Sequence, residues 1–273
     1  MFQVTLKSCA LLRRCSPIAT AFIALMLAAT AVKAQPEKPP VVAAASDLQF
    51  ALADIAKAFQ SETGHKVKLS FGSSGDFARE IRQGAPYQIY FSADEAYVLG
   101  LARDGVTRDG GALYAVGRIV IIVPHDSPLR ADGSLSDLKA ALADGRLVKF
   151  AIANPDHAPY GKRAEETLRH QGLWDDIQPK LVYGETVSQT AQLATSPTAQ
   201  GGIIAYSLTL SPKVSGLGTA ALIPDDWHSP LRQRVVLLKS AGPVAEQFYA
   251  YVQRPAARAI FGEYGFFPPD GAN

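Results

Sequence analysis

The stretch Val41–Phe59, VVAAASDLQFALADIAKAF, decides the fold. Its first five residues are small and apolar without alternation, the mark of a strand buried on both faces. Then Leu48, Ala51, Leu52, Ile55, Ala56 and Phe59 recur at three- and four-residue intervals, which puts them on one face of a helix. Between the two stands Ala45-Ser46-Asp47, with a hydroxyl and a carboxyl where the helix starts. A buried strand running directly into an amphipathic helix is the opening of a βα unit.

The same alternation continues downstream. Strands are expected at Lys66–Phe71, Ile89–Ser92 and Arg118–Val123, with helices at Asp76–Gln83 and Asp94–Arg103. Gly84 and Gly105 stop those helices, and Pro124 closes the third strand. A second block follows, with helices at Leu135–Ala143, Gly161–Gln171 and Val187–Thr195, and strands at Val148–Ala153, Leu181–Tyr183 and Gly202–Ser207. A last strand, Arg234–Lys239, precedes a helical segment, Pro243–Tyr264, with a break near Pro255. The pattern predicts an α/β fold with mainly parallel sheets. Two similar blocks predict two lobes with a hinge and a cleft. The first is 41–121 plus 229–273, because the last strand and helix return to it; the second is 122–228. The hinge is expected in Arg118–Val123 and Pro224–Arg234.

Residues 1–34 read as a secretory signal. Lys7, Arg13 and Arg14 precede an apolar run from Ile18 to Val32, and Val32-Lys33-Ala34 offers a cleavage site after Ala34. The run has about 15 residues, short of the ~20 that span a bilayer. Residues 35–40, QPEKPP, form a loose leader. The signal holds four basic residues and no acid, so the formal charge of +2 becomes −2 once it is removed. The apparent basicity belongs to the signal, so it gives no argument for nucleic acid as a partner. Cys9 and Cys15 both lie in the signal, so the processed chain has no disulfide, cysteine–metal site or thiol nucleophile. Neither has the small apolar residues before it that lipid attachment requires. A soluble periplasmic monomer is expected. With 48% hydrophobic and 19% charged residues the composition is that of a globular protein.

Four strand-to-helix junctions carry small or hydroxyl residues: Ala45-Ser46-Asp47, Gly72-Ser73-Ser74-Gly75, Ala158-Pro159-Tyr160-Gly161 and Glu185-Thr186-Val187-Ser188. Helix starts leave main-chain N–H groups unpaired and carry partial positive charge, which suits anions. In open α/β sheets, ligands bind outside the carboxyl ends of the strands, where these junctions lie. No Lys or Arg stands in any of the four. A cage of neutral donors matches a fully ionised oxyanion, which has only acceptors. Each junction alone is equally an ordinary helix cap.

The motifs VVAAASDLQFALADIAKAF, SFGSSGDFAREI, FSAD (Phe91–Asp94), NPDHAPYGKRAEETL, YGETV, GGIIAYS and the terminal YGF occur in an order that resembles the periplasmic molybdate-binding proteins of ABC transporters. The resemblance covers nearly all of 41–267. It implies the two-lobed type II periplasmic binding protein fold, with molybdate or tungstate in the cleft, no cofactor and no directly bound metal. It also implies a membrane permease as partner. Carried over by motif, Ser46 and Ser74 supply hydroxyl and main-chain donors, and Tyr160 and Val187 supply main-chain N–H groups. Asp47 adds its N–H, with its carboxylate pointing away. Two departures stand out. Ala205 occupies the place where relatives carry a ligand-contacting tyrosine, and Tyr206 follows one residue later, on the opposite face of a strand. Tyr87-Gln88-Ile89-Tyr90 replaces a segment that usually holds an aspartate.

Other readings remain open at this point. Sulfate, phosphate or an organic acid would fit a similar cage, with Asp47 or Asp76 accepting a proton from phosphate. An enzyme finds little support: Gly72-Ser73-Ser74-Gly75 lacks nucleophile-elbow spacing. The histidines, His65, His157, His170 and His228 among them, are not paired, although His157 stands beside the third junction. Sensing alone would use the same cleft.

Overall fold

The computed structural model describes residues 38–269. The signal expected at 1–34 lies outside the described residues. Ten strands form two five-stranded sheets. The first contains β1 (Val41–Ala45), β2 (Lys68–Gly72), β3 (Ile89–Ser92), β4 (Ala112–Gly117) and β10 (Leu231–Leu237), in the order β2-β1-β3-β10-β4. The second contains β5 (Ile119–Pro124), β6 (Phe150–Ala153), β7 (Leu181–Gly184), β8 (Gly202–Ala205) and β9 (Gly218–Leu222), in the order β7-β6-β8-β5-β9. Each sheet with its helices makes one α/β lobe.

Both sheets are mixed but mainly parallel, since four of the five strands in each run the same way and one is reversed. β1 pairs in parallel with β2 and β3, and β6 with β7 and β8. β10 runs antiparallel to β3 and β4, and β5 antiparallel to β8 and β9. The antiparallel strands are those that carry the chain between lobes. Only Arg118 separates β4 from β5, and the segment between β9 and β10 makes the second crossing. A boundary at 121/122 would cut β5, which pairs wholly within the second sheet. In sheet membership the division falls at Arg118.

The helices follow the apolar stripes. Helix α1 (Ala51–Thr63) buries Leu52, Ile55 and Phe59 and ends at Gly64, whose φ of 75° is the left-handed cap that glycine adopts freely. A separate 3-10 turn, Ser46–Leu48, precedes it. α2 (Ser74–Arg82) buries Phe77, Ala78 and Ile81, and α3 (Glu95–Arg103) is capped by the Asp94 side chain. In the second lobe, α4 (Ser136–Ala143), α5 (Pro159–His170), the single turn α6 (Trp174–Ile177) and α7 (Val187–Ala194) pack on the sheet. The strand expected at Gly202–Ser207 ends at Ala205, and Tyr206 opens a short helix, α8 (Tyr206–Thr209). The C-terminal segment divides into α9 (Pro243–Tyr251) and α10 (Pro255–Glu263). These two return to the first lobe, where Phe248, Tyr251 and Phe261 join Phe59, Phe91 and Tyr114 in one aromatic core.

Candidate functional site

All four junctions meet in one cavity between the lobes. The first lobe contributes Ala45, Ser46 and Asp47 after β1, Gly72, Ser73 and Ser74 after β2, and Ala93 after β3. The second contributes Ala158, Pro159 and Tyr160 after β6 and Val187 after β7. The cavity is about 190 Å³ with its mouth, a third of the 530 to 620 Å³ of three surface clefts. That size selects a small ligand. No lysine or arginine lines it.

The local structure aims donors inward. Ser74 is the first residue of α2, Tyr160 the second of α5 and Val187 the first of α7. At such positions a main-chain N–H has no acceptor within its own helix. The hydroxyls are set as donors by main-chain groups behind them. Ser74 Oγ accepts from the Ala93 N–H (3.1 Å), and Ser46 Oγ from the Ser188 N–H (3.2 Å). Each hydroxyl has accepted one bond and keeps its own O–H to give. Ser73 also lines the cavity, but its O–H is committed to the His157 carbonyl at 2.6 Å. Among the described residues, no group of three or more His, Cys, Asp or Glu is placed to hold a metal ion.

Asp47 is buried and lines the cavity, and its carboxyl is bonded to groups of both lobes. Oδ2 accepts from Tyr160 Oη (2.9 Å) and Gln233 Nε2 (2.6 Å), and Oδ1 has no partner. Burial pushes this carboxyl up to about 6, against the opposing pull of the Gln233 and Tyr160 donors. The Tyr160 side chain thereby joins the lobes. Burial, with the Asp47 carboxyl beside it, holds its phenol well above the ordinary range.

Tyr206 stays out of the site. It lies at the start of α8, beside Gly265, and its N–H bonds the Arg118 carbonyl. Ending the strand at Ala205 sends the next side chain away from the cleft. Gln88 is likewise distant: its Oε1 accepts from the Gly242 N–H. Asp76 pairs with Arg79 at 2.8 Å on the surface of α2.

Several contributors left no local signal. Gln233, in β10, reaches Asp47 across 186 residues of sequence. Ser188 Oγ donates to the Ser46 carbonyl (2.8 Å), and Ser207 Oγ to the Asp47 carbonyl (2.9 Å). Arg163, almost wholly buried, pairs with Asp94 of the opposite lobe at 2.7 Å. His157 also joins the lobes. Its carbonyl takes Ser73 Oγ and the Gly75 N–H, while Nδ1 lies 2.9 Å from Ser73 Oγ and Nε2 lies 3.1 Å from Glu185.

Two lobes joined by two crossings, with a small donor-lined cavity between them, define a solute-binding protein. The chain belongs to the bacterial extracellular solute-binding protein family, whose profile matches residues 40–267. Several of the similar proteins within it are molybdate-binding proteins. The molybdate-binding protein ModA of Rhodobacter capsulatus is 32% identical over 229 residues, covering 83% of this chain and 87% of that protein. Its Escherichia coli K12 counterpart is 33% identical over 233 residues, covering 82% and 87%. The solved periplasmic molybdate-binding protein of Azotobacter vinelandii superposes with a TM-score of 0.76 at 30% identity, covering 85% of this chain and all of that one.

Proposed function

We propose that this chain is a periplasmic binding protein that captures molybdate, or tungstate, and delivers it to the membrane permease of an ABC transporter. The observation that carries the reading is the convergence of four strand-to-helix junctions, two from each lobe, on one small cavity free of lysine and arginine. Names and structures of the similar proteins support the choice of ligand. Ser46 and Ser74 donate through hydroxyl and main-chain groups, and Tyr160 and Val187 through main-chain N–H groups. Asp47 adds its main-chain N–H. No cofactor enters the process. The protein works as a monomer, exported by the 1–34 signal and soluble after cleavage. Among the described residues no helix is long and apolar enough to cross a membrane.

Capture proceeds by closure about the two crossings. The first lobe presents Ser46 and Ser74, and rotation of the second adds the starts of α5 and α7. Charge-assisted hydrogen bonds in a dry cleft are stronger than their counterparts in water. The ligand draws a hinge equilibrium toward the closed form by binding that form better.

Calorimetric titration of the processed protein with molybdate, tungstate, sulfate and phosphate tests the proposal. Tight one-to-one binding of the first two, with the others silent, is the expected result. Binding of sulfate or phosphate in their place would keep the cage and change the cargo. Silence from all four would reduce the junctions to helix caps.

A further inference from the structure

Asp47 is the one lining residue whose chemistry opposes an acceptor-only ligand. It is 2% exposed, and its neighbours supply no positive charge. From the second lobe Tyr160 donates to Oδ2 and Ser207 to the main-chain carbonyl. From the first, Gln233 donates to Oδ2 while its own Oε1 accepts from Tyr114 Oη at 2.5 Å. Tyr114 and Tyr160 are the titratable groups facing the carboxyl. Burial holds both phenols well above their ordinary range, so both stay neutral. Oδ1 is buried without a hydrogen-bond partner, and the residue that carries it lines the cavity. Ionised, it would set a negative charge against an anion with no cation between them. Protonated, it becomes one more O–H donor beside those of Ser46 and Ser74.

We infer that the protein takes up its oxyanion together with one proton, carried on Asp47, whose Oδ1–H donates to the bound anion. The inference rests on the reading of the cavity as an oxyanion site. The proton comes from solvent and returns to it on release, and no covalent bond changes. Burial already raises this carboxyl to about 6. A second negative charge raises it further, so at neutral pH binding draws a proton in. Fully deprotonated oxyanions gain a donor and bring a proton in with them, whereas an anion carrying its own proton, such as hydrogen phosphate, would give that O–H to the ionised Oδ1 and bind without proton uptake.

The test is titration of the protein with molybdate between about pH 6 and pH 8, in pairs of buffers with different ionisation enthalpies. The dissociation constant should rise about tenfold per pH unit above about 6. The buffer dependence of the heat should report uptake of close to one proton per anion. Asp47→Asn keeps an oxygen for Tyr160 and Gln233 and places an N–H at Oδ1. It should bind with an affinity independent of pH and without proton uptake. Tight wild-type binding indifferent to pH and buffer would overturn the inference while leaving the oxyanion reading intact. So would retention of the wild-type pH slope in Asp47→Asn. Silence with every oxyanion would overturn both. If Asp47→Asn does not fold, the wild-type buffer series decides alone.

Discussion

Ser73 Oγ donates to the main-chain carbonyl of His157 at 2.6 Å, and the two residues come from opposite lobes. The Gly75 N–H reaches the same carbonyl at 2.9 Å. Together these bonds tie the lobes to one another at the start of α2. A Cβ on Gly75 would lie 2.7 Å from that carbonyl oxygen and 2.9 Å from the His157 Cα, both main-chain atoms with little freedom to yield. Gly75→Ala should leave each lobe folded, because alanine favours the helix it joins. It should obstruct closure and weaken oxyanion binding by about tenfold or more, a cost of ~1.4 kcal/mol. Titration gives the affinity, and an unchanged ligand-free melting temperature separates blocked closure from a damaged lobe. Undiminished affinity would show that the lobes need not meet here.

Tyr160→Phe deletes the O–H that reaches Asp47 across the cleft and leaves every main-chain donor in place. A buried hydrogen bond to a carboxyl contributes roughly 1.5–3 kcal/mol, so affinity should fall by about 10- to 100-fold. The loss also removes a donor that favours the ionised carboxyl. The pH at which binding begins to weaken should therefore move upward. Titration across pH reads both effects, and a wild-type affinity with a wild-type profile would relieve Tyr160 of any side-chain role.

The local elements were legible because their causes are local. The VVAAA run, the stripe through Leu52, Ile55 and Phe59, and the glycine stop at Gly64 all act within a few residues. The four junctions were legible for the same reason. Strands β4 and β9 were not, since both are edge strands. GTAAL in β9 is largely exposed and shows no apolar alternation. The direction of β10 depends on its partners β3 and β4 rather than on its own residues. At the site, Gln233 and Ser188 act only once distant segments meet. Gly202–Ser207 reads as one strand that includes Tyr206, whereas the chain turns into a helix after Ala205.

Ser74→Ala removes a donor to the ligand and also strands the Ala93 N–H that its Oγ accepts. Ser74 is completely buried, so the orphaned amide should cost about 1–3 kcal/mol of stability. Affinity and melting temperature should therefore fall together. This behaviour differs from Gly75→Ala, in which only affinity falls. Paired melting and titration curves distinguish them.

Asp47 also links folding to pH. Its native carboxyl, raised to about 6 from 3.8, holds a proton more tightly than the unfolded chain does. Stability from this group is therefore greatest below about pH 3.8, declines as pH rises to about 6, and is flat above. Over that interval the difference amounts to about 3 kcal/mol, at ~1.36 kcal/mol per unit. Asp47→Asn has no proton to lose and retains an acceptor for Tyr160 and Gln233. Without ligand, its melting temperature should exceed that of the wild type at about pH 8, by several degrees if most of that cost is recovered. The advantage should disappear near pH 4. Melting curves at the two pH values suffice, and a variant less stable than the wild type at pH 8 would mean that the ionised carboxylate is better solvated in the closed cleft than its burial implies.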